Sequence, residues 1–390
     1  MFKKYLKTGL TVIILLLAVQ VISSTAQVPE LISQTEFRKD AAAAVDSLYN
    51  FNDAAAEKIM EDWNKDYPNH PIWSLFDAMT EWWIVLSDLE NHSHDDKLLK
   101  LMKKADYKAS KLLHKQPNHV DGLIIKAIAN GYIARHYANR SEWLTSLKYG
   151  RTALKAYKYL QKAMPDLPDL KLAKGIKLYY TAYLPEAYPV VKAVSWILPK
   201  GDRQEGLQLL KQASQQAIFA RAEATYFLGN IYFNYEHKPE KAIGYFQQLH
   251  EKYPNNNYYV RLLVHNYYKI GWHDKALQLI SHILQQSKQH KLPFDKVLKQ
   301  ELFYWKGRIL KSRGDMKQAA DLMIDSFNMA EQLPRTKYRK YYTAAGFYAG
   351  KVLLTLNKKE EAVDYLKAAA KSKAGEGYKE QAEKLLERIR

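Results

Sequence analysis

The densest cluster of polar side chains in the sequence is the segment NHSHDD at residues 91–96. It contains two imidazoles, His92 and His94, and two carboxylates, Asp95 and Asp96. Imidazole and carboxylate groups together can bind a divalent metal. The same residue types are also common in a solvated loop that caps the following helix, and we favour that interpretation. The sequence therefore predicts no metal site and no cofactor.

Other signatures of catalysis are missing from the sequence. It contains no glycine-rich phosphate loop, no nucleophile elbow and no HExxH pair. It also contains no cysteine, which excludes disulfides, thiolate zinc sites and cysteine nucleophiles. Neighbouring carboxylates such as Glu360 and Glu361 point to different faces of a helix and make a poor acid–base couple. We predict that the protein is not an enzyme; a hydrolase with an unrecognised pocket is the less favoured alternative.

The composition is that of a folded chain with an excess of positive charge. Of the 390 residues, 47% are apolar and 26% are charged, and the formal net charge is +18. A disordered chain would have far fewer large apolar residues. A basic protein favours anionic partners such as lipid headgroups, acidic polysaccharides or acidic protein surfaces. Lysines on solvent-facing helix positions explain much of the excess without any partner.

Residues 1–26 have the layout of a secretory signal peptide. Three lysines precede an apolar run from Leu10 to Ile22, and the small residues Ser24 and Ala26 follow at the −3 and −1 positions of a cleavage site. The run is shorter than the roughly 20 residues of a membrane span, so a cleaved signal is favoured over a retained anchor. We predict a mature chain from Gln27 that is periplasmic or secreted from a bacterium, which argues against nucleic acid as a partner.

A recurring spacing of small residues, large residues and proline reveals the elements that make up the fold. An alanine is followed by residues of the same helix face four and seven positions later, and by a proline twelve positions later. The alanine allows two helices to approach closely, and the proline ends the helix. One helical pair cannot bury its own apolar stripe, so the pairs must stack. The four occurrences are Ala56–Met60–Trp63–Pro68, Ala105–Ala109–Leu112–Pro117, Ala153–Tyr157–Leu160–Pro165 and Ala242–Phe246–Leu249–Pro254.

The segment from about Glu223 to Leu366 resembles the tetratricopeptide repeat (TPR) family. Ala276 follows Ala242 by 34 residues, which is the period of that family. The resemblance implies an all-α fold: a right-handed α-solenoid of about eight TPR or TPR-like helical hairpins with a C-terminal capping helix. The residues that carry it are Leu228, Gly229, Tyr232, Ala242, Phe246 and Pro254; Leu263, Tyr267, Gly271, Ala276 and Ile280; Gly307, Leu310, Gly314, Ala319 and Met323; and Gly350, Leu353, Ala362 and Leu366.

The repeat pattern divides the chain into five segments. In the N-terminal half the prolines are 49 and 48 residues apart, which predicts long helices at roughly 71–89 and 119–137. A proline-rich apolar insertion then interrupts the pattern. We interpret it as a short helix between the two halves, with a partner-binding or membrane-touching wedge as the alternative. The predicted segments are the signal peptide 1–26, TPR-like hairpins 27–183, the insertion 184–202, a C-terminal TPR array 203–375 and a capping helix 376–390.

The resemblance also implies a ligand groove lined by the first helix of each C-terminal hairpin. The groove positions combine aromatic rings with cations, and such residues dominate binding hot spots. Tyrosines that only fill helix–helix contacts are the alternative. We expect replacement of both Arg261 and Arg308 with Glu to abolish partner capture without unfolding. The predicted groove residues are Tyr226, Asn230, Phe233, Tyr258, Arg261, His265, Tyr268, Tyr304, Arg308, Lys311, Phe347 and Lys351.

Together these features predict a non-catalytic, exported TPR scaffold that binds a protein or an extended acidic peptide through its groove. The alternative is a binder of anionic glycan or lipid headgroups at the cell envelope, with contact to a membrane surface. Salt separates the two, because charge-driven headgroup or glycan binding should collapse at high ionic strength and aromatic-anchored peptide binding should persist. The sequence does not predict the oligomeric state.

Overall fold

The computed structural model describes residues 28–187, 192, 200–287 and 295–389. The predicted signal peptide and most of the insertion 184–202 lie outside these residues. Within them the regular secondary structure is entirely helical, and no helix is long and apolar enough to cross a bilayer. The helices are α1 Thr35–Tyr49, α2 Asp53–Asp66, α3 Ile72–Ser87, α4 Asp95–Lys115, α5 Val120–Asn139, α6 Trp143–Ala163, α7 Leu170–Ala187, α8 Arg203–Gln216, α9 Arg221–Asn230, α10 Pro239–Lys252, α11 Asn257–Lys269, α12 His273–Ser287, α13 Asp295–Ser312, α14 Met316–Glu331, α15 Lys340–Thr355, α16 Lys359–Ala370 and α17 Glu376–Ile389.

Consecutive helices pack against each other as antiparallel hairpins. The pairs α1/α2, α3/α4, α5/α6, α7/α8, α9/α10, α11/α12, α13/α14 and α15/α16 are all in contact, and α17 packs on the last pair. The described residues therefore form eight hairpins and a final single helix. This arrangement confirms the predicted all-α solenoid, which has a TPR-like fold.

Glycine and alanine allow the two helices of a hairpin to approach closely. A Cβ atom added to Gly229 of α9 would lie only 2.6 Å from the ring of Phe246 on α10, and one added to Gly350 of α15 would lie 2.5 Å from Leu366 on α16. Ala242 is fully buried in the same contact. Any larger side chain at these glycines would force the helices apart. The spacing of the repeat is therefore a packing requirement.

Capping residues and glycine turns mark the ends of several helices. The Asp202 carboxylate accepts a hydrogen bond from the Glu205 amide at 2.9 Å, as expected of the N-cap of α8. Gly271 and Gly314 stand in the turns of the α11/α12 and α13/α14 hairpins, with φ values of 76° and 87°. That left-handed conformation costs glycine little and strains most other residues. Local residue chemistry therefore sets the hairpin boundaries.

The NHSHDD segment has a structural role. Helix α4 begins within it, at Asp95, and the Asp95 carboxylate accepts two hydrogen bonds of 2.7 Å from Arg140 at the end of α5. His94 Nδ1 lies 2.7 Å from the buried carboxylate of Glu81. Nowhere in the described part of the chain do three His, Asp or Glu side chains come together as a set of metal ligands. The polar cluster joins helices α3, α4 and α5.

The N-terminal hairpins contact the first helices of the C-terminal hairpins. The Tyr253 hydroxyl donates to Asp46 at 2.6 Å, and the Asn256 side chain donates to the carbonyl of Tyr49 at 2.7 Å. At the other end of this contact, Arg339 donates two hydrogen bonds, of 2.9 and 2.8 Å, to the buried carboxylate of Asp88. The chain thus folds back, and its first half covers part of its second.

Candidate functional site

A pocket of about 510 Å³ lies among the C-terminal hairpins, beyond the part that the N-terminal half covers. Its walls come from the segment that follows α9, the first residue of α10, and helices α11, α13, α15 and α17. Cations and aromatic rings dominate the lining, and no lining residue is acidic. The lining residues are Phe233, Asn234, His237, Pro239, His265, Tyr268, Lys269, Trp305, Arg308, Lys340, Tyr341 and Tyr378.

A π-helical turn shapes one wall of the pocket. Helix α9 continues into the turn Ile231–Tyr235, in which the Glu236 amide donates to the carbonyl of Ile231. The additional residue in such a turn rotates the side chains that follow it around the helix, and π turns are frequent at functional sites. Here the turn brings the ring of Phe233 to 4.8 Å from the ring of His265. The irregular end of α9 therefore contributes directly to the lining.

The floor of the pocket is a set of packed rings. Trp305 is 5% exposed, and its indole stacks on the His265 imidazole with centroids 4.7 Å apart and planes 23° from parallel. The ring of Tyr268 lies 4.8 Å from Trp305 on the same floor. Packed aromatic rings lose little further conformational freedom when a ligand binds. The floor is a preformed apolar surface.

Arg308 supplies a positive charge that no carboxylate of the described residues neutralises. Its guanidinium donates to the hydroxyls of Tyr304 and Tyr268, both at 2.7 Å, and its central carbon lies 3.9 Å from the ring centroid of Tyr348. Phenol oxygens and ring faces hold a guanidinium in place without cancelling its charge. The geometry therefore orients Arg308 and leaves it able to attract an anion.

The electrostatics of the pocket favour a negative ligand. Lys269 and Lys340 are exposed at its edge and form no salt bridge with a described residue. Burial, and then the charges of Lys340 and Lys269, lower the pKa of His265 to about 4, so this imidazole is neutral at pH 7. Burial, and then the charges of Lys351 and Arg308, also lower the pKa of Lys311. Positive charges are thus crowded together, and a bound anion would relieve their repulsion.

The first section of the predicted groove, at Tyr226, Tyr258 and Arg261, is covered by the N-terminal half of the chain. The hydroxyls of Tyr226 and Tyr258 are hydrogen-bonded at 3.0 Å, and the guanidinium of Arg135 from α5 lies 5.0 Å from the Tyr226 ring centroid. Arg135 also pairs with the carboxylate of Glu223 at 3.2 Å. These residues join the two halves of the chain, so the aromatic groove positions here contact the protein's own N-terminal half.

Arg261 belongs to the same covered section and corrects one expectation from the sequence. Its guanidinium donates to the Glu301 carboxylate at 2.9 Å and to the carbonyl of Ser87 at 2.8 Å, so it links α11, α13 and the end of α3. Replacement with Glu would place two carboxylates side by side in a nearly buried position. The Arg261 and Arg308 double replacement should therefore destabilise the fold, contrary to the expectation that it would not.

The structure sorts the remaining predicted residues into three environments. Phe233, His265, Tyr268 and Arg308 come together in the pocket. Tyr304 and Phe347 are core residues with exposed fractions of 0% and 2%. The other three predicted positions lie outside the lining: the Asn230 side chain accepts from Asn234 at 2.7 Å, Lys311 is partly buried, and Lys351 is exposed with its Nζ 5.8 Å from the Phe347 ring centroid.

The other eight lining residues were not predicted: Asn234, His237, Pro239, Lys269, Trp305, Lys340, Tyr341 and Tyr378. A constant offset along the chain could have identified Trp305. Residues of α11 contact residues of α13 that come 40 positions later, whereas the family period is 34. The contacts with this offset are Arg261 with Glu301, His265 with Trp305, and Tyr268 with Arg308.

Comparison with known proteins does not identify the site. No family model matches the sequence. No curated protein matches it either. Among solved structures, yeast Tom70 is 12% identical with a TM-score of 0.40, and the match covers 92% of this chain and 83% of the Tom70 chain. NprR in complex with its cognate peptide NprX is 14% identical with a TM-score of 0.40, and the match covers 90% of this chain and 82% of the NprR chain. The human IFIT1 dimer with PPP-AAAA is 16% identical with a TM-score of 0.33, and the match covers 86% of this chain and 85% of the IFIT1 chain. Similarity at this level of identity and TM-score carries no information about the site.

Proposed function

We propose that the protein is a non-catalytic scaffold whose pocket binds an acidic segment of a partner protein. The observation that carries this proposal is Arg308, a guanidinium that three tyrosines hold in place and that no described carboxylate neutralises. Lys269 and Lys340 add charge of the same sign at the edge. Charge-assisted hydrogen bonds from such a group to a carboxylate are about twice as strong as neutral ones.

The aromatic floor supports a peptide over a simple anion. Trp305 and Tyr268 present ring surface next to the cations, which suits a segment that alternates acidic and aromatic or aliphatic side chains. The volume of about 510 Å³ falls in the range of ligand-binding clefts and would accept a few side chains. An inorganic anion would leave the ring surface unused. The arrangement therefore favours a ligand with both charge and apolar area.

The N-terminal segment indicates where the protein acts. The lysines, apolar run and small residues of Met1 to Ala26 are typical of a secretory signal. We propose that the mature chain starts at Gln27 and meets its partner in the periplasm or outside the cell. The partner would then be an exported or envelope protein with an acidic extended segment.

Fluorescence anisotropy with labelled synthetic decapeptides tests the binding mode. One peptide alternates Glu and Phe, and its partner has Gln in place of every Glu. We expect the Glu peptide to bind wild type and the Arg308→Met variant to bind it at least about tenfold more weakly, as for loss of a hot-spot arginine. Arg388→Met, on the exposed side of α17, is the matched control and should bind like wild type. Circular dichroism checks that both variants remain folded.

The outcomes distinguish the alternatives. Equal affinity for the Glu and Gln peptides would contradict the role of charge in the pocket. Complete loss of peptide binding at high salt, together with competition by an acidic polysaccharide or by phosphatidylglycerol vesicles, would favour a binder of anionic glycan or headgroups. Full binding by Arg308→Met would show that the ligand does not use this arginine.

A further inference from the structure

Helix α6 exposes an unusual amount of apolar surface. Trp143 is 66% exposed, Leu144 86%, Leu147 52% and Leu154 38%. Single exposed apolar side chains are ordinary on a protein surface, but a cluster of large ones marks a surface that another molecule covers. These four residues belong to one helix on the N-terminal half, and none of them lines the pocket.

Three of the exposed apolar residues form a narrow stripe, and Tyr159, which is 47% exposed on the same helix, lies outside it. At 100° per residue, Trp143, Leu147 and Leu154 fall within a sector of about 40° around the α6 axis. Leu144 lies farther round, on the same exposed half of the helix. The stripe runs from the first residue of α6 through more than half of its length. A partner that covers it must be long or flat.

A stripe of positive charge runs beside the apolar one. Its five residues follow one another at spacings of three and four, so they share a helix face. No Asp or Glu occurs between Trp143 and Ala163, and none of the five forms a salt bridge with a described residue. Apart from Gln161, every exposed residue of α6 is apolar, aromatic or cationic. The basic residues are Lys148, Arg151, Lys155, Lys158 and Lys162.

The opposite half of α6 is firmly packed. Ala156 and Leu160 are 3% and 5% exposed, and the ring of Tyr149 stacks on Tyr137 of α5 with centroids 5.8 Å apart. Helix α6 packs mainly against α5. The packing of α6 on α5 thus holds the apolar and basic stripes outward.

We propose that α6 docks the protein on an anionic membrane surface, lying in the plane of the headgroups. A bilayer offers negative headgroups next to an apolar interior, which matches adjacent cationic and apolar stripes on one helix. Tryptophan is favoured at this boundary because its ring is amphipathic. A nucleic acid or an acidic protein would match the charges and leave Leu144 and its neighbours in water. This inference does not depend on the pocket.

Vesicle co-sedimentation tests the proposal. The protein is used from Gln27 onward, a chain that contains every described residue, because the apolar run before it would bind vesicles by itself. Probes are phosphatidylcholine vesicles with and without about one third phosphatidylglycerol. We expect wild type to sediment with the anionic vesicles only. The triple variant W143S/L144S/L147S should bind at least about tenfold more weakly.

Two matched controls define the surface. W272S/Y338S removes two exposed rings elsewhere and should bind like wild type. K148Q/R151Q/K155Q/K158Q should lose binding, whereas K359Q/K367Q/K371Q/K384Q, which removes the same charge from α16, its C-terminal end and α17, should retain most of it. Quenching of Trp143 fluorescence by brominated lipid, lost in W143F, would place this ring in the bilayer.

Three results would overturn the proposal. The first is a wild-type protein that stays in solution with anionic vesicles. The second is a triple apolar variant that binds as tightly as wild type, which would show a purely electrostatic contact. The third is an equal loss of affinity in the two charge variants, which would assign binding to net charge and not to α6. Pocket binding of the Glu peptide is measured separately, so either proposal can fail alone.

Discussion

The covered and open sections of the groove contain similar residues and have different roles. In the covered section, Arg261 lies among tyrosines and pairs with the buried carboxylate of Glu301. In the open section, Arg308 also lies among tyrosines, but its partners are phenol hydroxyls and ring faces. Both arginines stand on the first helix of a C-terminal hairpin. The difference is the presence of an acidic neighbour.

That difference separates structure from recognition. An arginine whose charge a buried carboxylate neutralises contributes to the fold, because removing it leaves the carboxylate unpaired in a low-dielectric site. An arginine that neutral oxygens hold in place keeps its capacity to bind an anion. Replacement of arginines in and around each section measures this contrast, and the expected losses of stability differ in size.

The largest effect is expected at the contact that covers the groove. Arg339→Met would leave the Asp88 carboxylate, whose side chain is 6% exposed, without the two hydrogen bonds that it accepts. Loss of one partner of a buried pair costs about 3–5 kcal/mol of the free energy of unfolding. Urea denaturation followed by circular dichroism measures it. Asp88→Asn/Arg339→Met should recover part of the loss, and a stability equal to wild type in the single variant would mean that this contact is not formed in solution.

A smaller effect distinguishes the two groove arginines directly. Arg261→Met should lower the free energy of unfolding by about 2–3 kcal/mol, since the Arg261 side chain is 22% exposed and solvent partly screens the pair. Arg308→Met should lower it by less, about 1 kcal/mol, because the hydroxyls that it leaves are neutral. The Tyr268 hydroxyl borders the open pocket, and the buried Tyr304 hydroxyl keeps the Tyr378 hydroxyl as a neighbour at 3.4 Å. The same denaturation experiment applies. Equal losses in the two variants would remove the distinction between the sections.

The remaining effect is the pH dependence of the open section. The pKa of His265 is about 4 in the folded protein, below the ordinary value of 6.5, so the unfolded chain binds more protons between these values. Stability should therefore fall as the pH falls from 6.5 to 4. The contribution of His265 is about 1–2 kcal/mol, less than the full shift implies because the ring borders the open pocket.

Urea denaturation of wild type and His265→Gln across that pH range isolates the contribution, since other histidines with a lowered pKa, such as His136 and His250, titrate in both proteins. The difference in stability between the two proteins should shrink with acidity. Bound Glu peptide should also raise the pKa of His265, which NMR titration of the ring would detect. A constant difference across the range would mean that His265 titrates normally.

Some parts of the site were predictable and others were not. Phe233, His265, Tyr268 and Arg308 follow from the TPR-like register, because hairpins of similar length place equivalent positions on one face. Tyr304 was predicted for the groove and is buried in the core, whereas its neighbour Trp305 lines the pocket. Facing positions of α11 and α13 are 40 residues apart, so the family period of 34 does not identify Trp305. Loop length alters the register while leaving the pattern within each helix intact.

The sequence by itself determined the hairpins. Small residues at Gly229 and Ala242, proline and capping residues act over a few positions, so their effect is visible in the local spacing. Only the tertiary structure decided which groove arginine is free. Arg261 contacts Ser87 across 174 residues, and Arg339 contacts Asp88 across 251. Contacts at such separations depend on how the whole solenoid curves, and no local pattern records where its two halves meet.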